Sequence, residues 1–189
     1  MYEYIKGPLT SLTATTAVID CGGVGFLLEI TLNTYSAIQT KEEVRLWVHE
    51  VVREDAYQLY GFYTTAERDM FRMLLGVSGV GASTARVMLS SLSVDELGNA
   101  IATQDAKRVQ RVKGIGAKTA QRIVLELHDK VSGISAGSVP SPSVSVSKEE
   151  ALSALVMLGF PKAAADKVLQ SLDASHSVEE LIKEALQRL

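Results

Sequence analysis

One short pattern occurs twice in this chain and constrains its fold more than any other feature. Residues 79–85 have the sequence Gly-Val-Gly-Ala-Ser-Thr-Ala, and residues 114–120 have the sequence Gly-Ile-Gly-Ala-Lys-Thr-Ala. Each copy follows an apolar run that suits the end of an amphipathic helix, and each precedes a second helical run, residues 86–89 and 122–127. The repeat therefore predicts two copies of one unit, in which a tight glycine turn joins two helices.

The residue types in this turn suit a phosphate contact, as in a helix-hairpin-helix element. Two glycines permit backbone angles that other residues avoid, and they leave no side chain in front of the turn. The apolar residue between them is expected to point inward, which leaves main-chain N–H groups at the start of the next helix, where the helix dipole favours an anion. An ordinary glycine helix end is the alternative for a single copy, but two near-identical copies favour phosphodiester binding. The predicted DNA-binding residues are Gly79, Val80, Gly81, Ser83 and Arg86 in the first copy and Gly114, Ile115, Gly116, Lys118, Thr119 and Arg122 in the second.

The glycines do not match either common nucleotide-binding motif. A Walker loop requires Lys and Ser or Thr directly after its last glycine, but Ala117 separates Gly116 from Lys118. The dinucleotide fingerprint requires a third glycine, and Thr84 and Thr119 occupy the corresponding positions. We therefore expect no ATP site and no other cofactor in this chain.

Positive charge is concentrated around the repeat, although the chain as a whole carries a net charge of −3. Residues 65–131 carry +3, whereas residues 1–64 carry −4 and residues 132–189 carry −2. Clustered positive charge attracts a polyanion even when the total charge is negative. The distribution therefore favours a nucleic acid as the partner.

The remaining composition indicates an intracellular protein without a metal site. Cys21 is the only cysteine, which excludes intrachain disulfides and cysteine-rich metal sites and favours the reducing cytoplasm. His49 has no second histidine or cysteine at metal-ligand spacing. No apolar run approaches the ~20 residues that a membrane-spanning helix requires, and the N-terminus lacks the pattern of a signal peptide. We expect a cytoplasmic location, no bound metal and no membrane partner.

Residues 1–64 have the alternating and β-branched patterns of short strands separated by turn residues. Together with a helical turn over residues 33–38, these signals predict a small closed barrel of the OB type, with an SH3-like barrel as the alternative. Trp47 and Phe26 are expected in the core of this barrel. The polar segment Arg53-Glu54-Asp55 ahead of the last strand predicts a hairpin turn.

The rest of the chain is predicted to be helical, with one interruption. Residues 132–147 are uncharged and rich in Ser, Gly and Pro, which predicts a flexible linker. The small acidic bundle of three helices expected over residues 148–189 is typical of a docking module, and its apolar residues Leu155, Met157 and Phe160 are candidates for either core or partner contacts. Helix starts are marked by four capping-box pairs and one further cap: Thr64 with Glu67, Ser93 with Glu96, Ser147 with Glu150, Ser177 with Glu180, and Asp105.

The order of these parts, and several segments within them, resemble the RuvA family of Holliday-junction-binding subunits of the RuvAB branch-migration machine. The resemblance covers essentially the whole chain. It is carried by Val-Val-Arg-Glu-Asp at residues 51–55, Leu-Tyr-Gly-Phe at 59–62, the two glycine turns, and Ile-Val-Leu-Glu-Leu at 123–127. It implies a multidomain α and β protein with an N-terminal OB-fold barrel (1–64), a central all-α tandem helix-hairpin-helix domain (65–131) and a C-terminal three-helix, UBA-like bundle (148–189).

The resemblance also implies a function that agrees with the residues. Such proteins assemble as homotetramers that hold four-way DNA junctions, one or two tetramers to a junction, without a catalytic site of their own. Glu54 and Asp55 would form an acidic pin that repels phosphates at the crossover. Residues 148–189 would recruit a RuvB-type hexameric ATPase, and a RuvC-type resolvase is a further candidate partner. The implied processes are homologous recombination, DNA repair and the SOS response.

Two departures and two alternative functions accompany this hypothesis. Ala117 and Ser83 stand where basic residues are expected, so phosphate binding would depend more on the backbone and on Lys118. A helix-hairpin-helix glycosylase or nuclease is disfavoured, because residues 127–129 lack the Gly-Pro-Asp arrangement and no carboxylate cluster has two-metal spacing. The loop at residues 157–160 resembles that of ubiquitin-associated adaptors, a similarity that we attribute to a shared fold.

Overall fold

The computed structural model describes residues 1–132, 144–172 and 176–189. The chain forms two compact units, Met1–Ala136 and Gly137–Leu189. Residues 133–143, most of the predicted linker, lie outside the described residues.

The first unit begins with a closed barrel of the predicted OB type. Its strands follow the order β1-β2-β3-β5-β4, with β3 and β5 parallel and the other pairs antiparallel. This order, with a helix between β3 and β4, is the OB arrangement and not the SH3-like one. The elements are β1 (Tyr4–Leu12), β2 (Thr16–Asp20), β3 (Gly25–Ile30), α1 (Leu32–Ile38), β4 (Glu43–Val52) and β5 (Tyr57–Phe62).

The two aromatic residues predicted for the barrel core lie nearer to its surface. Along β4, Leu46 and Val48 are fully buried in the barrel, so the alternation of a strand turns Trp47 outward. There its ring packs edge-on against Tyr4 at 5.8 Å. Phe26 is only partly buried, although it does pack against the barrel core. The prediction was therefore wrong for Trp47 and held in part for Phe26.

The helices that follow the barrel contain the repeated sequence pattern. Ser93 and Glu96 form the predicted capping box at the start of α4, and the Asp105 side chain caps α5 as predicted. The helices are α2 (Thr65–Leu75), α3 (Ala82–Ser91), α4 (Val94–Ala102), α5 (Ala106–Gln110) and α6 (Ala117–Ser132). Their shared core includes Tyr60 and Phe62 from β5, so barrel and helices are joined through common packing.

A buried carboxylate also joins the barrel to the helices. Thr64 caps α2 as predicted, but the Glu67 side chain does not complete a capping box. Instead it accepts hydrogen bonds from the hydroxyl groups of Thr31 and of Thr34, the latter at 2.7 Å, at the start of α1. Burial raises the pKa of the Glu67 carboxyl above its usual range, and the two hydroxyl donors oppose that shift.

The second unit contains α7 (Val144–Met157), α8 (Lys162–Gln170) and α9 (Val178–Arg188). These three helices enclose one core, which includes Leu155, Leu169 and Leu181, and the predicted bundle is confirmed. Ser177 and Glu180 form the predicted capping box. The predicted box at Ser147 is wrong, because α7 begins at Val144. Residues 144–147 contain neither Gly nor Pro, so nothing in them prevents the helix from starting earlier.

Candidate nucleic-acid interface

The two glycine turns have the same backbone conformation. Gly79 has a φ of 90° and Gly114 a φ of 89°, in the left-handed region where a side chain costs about 1–2 kcal/mol. Each turn therefore depends on glycine at this position. The sequence repeat is a repeat of structure as well.

The apolar residue between the glycines fixes each turn to the core, as predicted. Val80 and Ile115 are each only 6% exposed. Their N–H groups donate to the carbonyls of Val77 at 3.0 Å and Val112 at 3.1 Å. With the inner side of each turn occupied in this way, the outer side is formed by the glycines and by the first residues of α3 or α6.

The outer side of both turns is open. Among the described residues, no atom beyond the immediate chain neighbours lies within 4 Å of where a Cβ would stand on Gly79, Gly81, Gly114 or Gly116. Gly81 is the N-cap of α3 and has no side chain to accept the first N–H groups of that helix. Main-chain donors at a helix start with no side chain in front of them suit an oxyanion.

The two turns differ in charge. Ser78 and Ser83 flank the first turn, whereas Lys113 and Lys118 occupy the matching positions around the second, and all four side chains are exposed. Thr119 is half-buried behind Lys118. The second turn thus combines the same backbone with two more positive charges.

Arg122 lies on α6 and reaches from the second hairpin to the first. Its Nη1 donates to the carbonyl of Ser78 at 3.1 Å, and its Nε lies 3.7 Å from the Glu126 carboxylate. Half of the side chain remains exposed. The sequence predicted Arg122 as a DNA contact but gave no signal for its bond to the other turn.

Arg86, also predicted as a DNA contact, is bound to the barrel. Its Nη1 lies 2.7 Å from the Glu29 carboxylate on β3 and donates to the carbonyl of Thr15 at 3.4 Å. Only 22% of the side chain is exposed. The structure therefore gives Arg86 a role in attaching α3 to the barrel.

The connection between β4 and β5 is the predicted polar hairpin turn. The Arg53 N–H donates to the Ala56 carbonyl at 2.8 Å, and both Glu54 and Asp55 at its tip are exposed. Within the described residues neither carboxylate has a cationic partner. The tip therefore presents two uncompensated negative charges.

The C-terminal candidates separate into core and surface. Leu155 is fully buried, and Phe160 packs against the same core. Met157 is 85% exposed, and Val156 and Leu158 beside it are also exposed. Of the three predicted contact residues, only Met157 has an exposed side chain that a partner can contact.

Over residues 1–132, 144–172 and 176–189, no group of three or more His, Cys, Asp or Glu side chains is arranged to hold a metal ion. Across the same described residues, no helix has both the length and the apolar character needed to cross a membrane.

An OB barrel followed by two hairpins of matching backbone geometry defines a tandem helix-hairpin-helix protein. Family models agree segment by segment: "RuvA N terminal domain" matches residues 1–61, "SAM-like Helix-hairpin-helix tandem" matches 71–129, and "RuvA, C-terminal domain" matches 147–189. The chain belongs to the RuvA family, which confirms the resemblance predicted from its sequence.

Curated relatives extend over the full length of the chain. Proteins named "Holliday junction branch migration complex subunit RuvA" are 48% identical in Bacteroides thetaiotaomicron, 45% in Porphyromonas gingivalis and 41% in Flavobacterium psychrophilum. In each comparison the alignment covers 100% of this chain and 100% of the relative. The similarity favours a branch-migration subunit over the alternatives of a repair enzyme or a ubiquitin adaptor.

Proposed function

We propose that this chain binds four-way DNA junctions as a homotetramer and holds them open for branch migration. The observation that carries the proposal is the pair of open glycine turns with matching backbone, next to the positive charge of α5 and α6. The names of its full-length relatives supply the junction as the specific substrate. Four copies around a four-fold axis would give each arm of the junction an equivalent pair of turns.

The turns would bind phosphates through the backbone. N–H groups at the starts of α3 and α6 would donate to phosphate oxygens, while Lys118, with Lys113 beside it, adds charge. Contacts of this kind hold DNA without reading its bases. That property suits a protein that must remain bound while the junction moves through any sequence.

The acidic tip would act at the centre of the assembly. Glu54 and Asp55 are exposed and unpaired within the described residues, so four tips would repel the crossover phosphates. Repulsion there would oppose over-tight binding and favour separated strands. This is the acidic pin that the resemblance implied.

The chain would work without catalysis of its own. ATP hydrolysis would come from a RuvB-type hexameric ATPase bound through residues 148–189, with Met157 and its exposed neighbours as the contact surface. A RuvC-type resolvase would be a further partner on the same junction. We place this activity in the cytoplasm, where bacterial chromosomal DNA lies.

The test is a gel-shift competition between a four-way junction and a linear duplex of the same sequence, at fixed salt and without metal or nucleotide. We expect a strong junction preference in the wild type. Replacing Gly114, Gly116 and Lys118 together should abolish it, while the fluorescence melt of the single tryptophan remains cooperative. Equal binding to both DNAs would mean non-specific attachment and would overturn the junction assignment. Titration to saturation would distinguish one tetramer from two.

A further inference from the structure

The two hairpins present the same backbone but unequal side chains. Where the second has Lys113 and Lys118, the first has Ser78 and Ser83. A turn without charged side chains attracts a phosphate weakly. Its contribution to DNA affinity therefore depends on the turn being held in position and not on long-range attraction. Val80 anchors this turn to the core below it, and a further contact reaches the turn from the second hairpin.

That contact is the bond from Arg122 to the Ser78 carbonyl, at 3.1 Å. Ser78 immediately precedes Gly79, the residue with the left-handed φ, so the bond acts at the turn itself. Glu126 lies 3.7 Å from Nε, on the other edge of the guanidinium. The position matching Arg122 in the first hairpin is Val87, which cannot donate, so the support runs in one direction only.

We propose that Arg122 is a positioning residue, which holds the first turn at a fixed place relative to the second hairpin so that both meet the same duplex arm. The inference rests on the proposed function of the hairpins. A guanidinium has several N–H donors in a rigid plane, so one can bind the carbonyl while others face solvent. A pre-positioned second contact avoids the entropy cost of ordering that turn on binding.

The first experiment is a double-mutant cycle on junction affinity. Ser83→Lys gives the first turn the charge that Lys118 gives the second, and should steepen the dependence of log Kd on log salt by about 0.9. In an Arg122→Gln background the first turn is displaced and cannot use that charge. The gain in junction affinity from Ser83→Lys should then be smaller than in the wild-type background, by a factor of about five or more. If Arg122 only binds a phosphate of its own, the two substitutions act independently and the gain is the same in both backgrounds.

Lys118→Gln is the matched control. It removes one positive charge from the same helix, but Lys118 makes no ion pair within the described residues. Combined with Ser83→Lys, it should give additive effects. This comparison separates the loss of a charge from the loss of the turn's position.

The second experiment needs no DNA. Amide hydrogen exchange in the full-length protein should be faster at Val80, whose N–H donates to the Val77 carbonyl, by about fivefold or more in Arg122→Gln. It should be unchanged in Lys118→Gln. Unchanged exchange in Arg122→Gln, or additivity in the cycle, would overturn the inference. Failure of the proposed function would appear differently, as equal wild-type binding to junction and duplex, and the exchange measurement would still decide the role of Arg122.

Discussion

The two glycines of a hairpin turn serve different purposes. In the first turn Gly79 has a φ of 90°, whereas Gly81 is extended, with φ −90° and ψ 171°. Any residue can adopt the second conformation, but few adopt the first. Glycine is needed at Gly79 for the fold of the turn, and at Gly81 to keep the space in front of the helix open.

This difference predicts separable effects of the same substitution. Gly79→Ala should lower the free energy of unfolding by about 1–2 kcal/mol, the cost of a left-handed alanine. Gly81→Ala should change it by less than about 0.5 kcal/mol, since its methyl group meets open space. Gly81→Ala should still weaken junction binding about tenfold or more, because a lost hydrogen bond to a charged group costs about 1.5–3 kcal/mol. Urea unfolding and gel shift measure the two quantities.

Asparagine at the same position provides the control. Because Asn tolerates the left-handed region better than Ala, Gly79→Asn should be less destabilising than Gly79→Ala. Wild-type junction affinity in Gly81→Ala would show that the N–H groups of this turn do not contact DNA.

For single residues, the sequence predicted the features that depend on adjacent positions in the chain. Val80 and Ile115 point inward as expected, because a repeated apolar residue between two glycines has one side to bury. Arg86 was assigned to DNA because it follows the turn, but its partner Glu29 lies on a barrel strand far away in the chain. No local pattern encodes that ion pair. Gly159, with a φ of 98°, is another left-handed position, two residues after the end of α7.

Among the elements, α3 is attached to the barrel by the Arg86–Glu29 pair. Arg86→Ala removes this ion pair and the bond to the Thr15 carbonyl, and leaves a half-buried carboxylate without its cation. We expect the free energy of unfolding to fall by about 1–3 kcal/mol. The salt dependence of junction binding should stay unchanged, whereas Lys118→Ala should reduce its slope by about 0.9. A reduced slope for Arg86→Ala would place Arg86 on the DNA after all.

The contact between α1 and α2 predicts a pH dependence. Because burial raises the folded-state pKa of Glu67 above its ordinary value of 4.5, the folded state holds this proton more tightly than the unfolded chain. The resulting stabilisation is fully present below the unfolded pKa and is lost as pH rises through the folded pKa. Glu67→Gln cannot ionise, so its stability relative to the wild type should increase as pH rises from about 4 to about 8. Urea unfolding followed by Trp47 fluorescence measures the difference.

A control keeps this effect apart from simple loss of contacts. Glu67→Leu leaves the Thr31 and Thr34 hydroxyls without their acceptor, at a cost of about 1–3 kcal/mol. A stability difference between Glu67→Gln and wild type that is constant with pH would contradict the prediction.

The elements themselves were largely predictable, with exceptions that have physical causes. Strand alternation and glycine turns located the barrel, and caps such as Ser93 and Ser177 located helix starts. Thr64 and Glu67 match the capping-box pattern. The Glu67 carboxylate nevertheless accepts hydrogen bonds from residues at the start of α1 and not from the N-cap backbone of its own helix. Trp47 was expected in the barrel core, but the alternation of side chains along β4 turns it outward.

At the scale of the molecule, the C-terminal unit offers a matched pair of residues. Leu155→Ala should lower the stability of this unit by about 2–5 kcal/mol, as expected for a fully buried leucine. Met157→Ser should change its stability by less than about 0.5 kcal/mol and leave junction binding intact. It should, however, reduce branch migration driven by a hexameric RuvB-type ATPase. A strand-exchange assay with the ATPase added, compared with a gel shift without it, tests this.

The opposite result has a clear meaning. Full ATPase-driven activity in Met157→Ser would move the contact surface elsewhere on residues 148–189, and would leave the junction assignment untouched.

The family and the order of its parts were predictable from the sequence, because the repeated turn and the acidic hairpin tip together are distinctive. How the barrel and the helices after residue 64 pack together was not. They share one compact unit, Met1–Ala136. The segment Leu-Tyr-Gly-Phe at residues 59–62 carries a sequence signal for this packing. This strand lacks polar alternation, and all four residues are buried, as expected when both faces of a strand are covered.

The joint between barrel and helices has a mechanical consequence. Phe71 on α2 packs against Phe62 and Tyr60 of β5, with ring centroids 4.8 and 5.1 Å apart, and the Glu67 and Arg86 contacts flank that packing. These contacts connect the barrel to the helices through buried side chains. Drag on a DNA arm held by the hairpins would therefore pass directly into the barrel, and a motor pulling that arm would work against a stiff anchor.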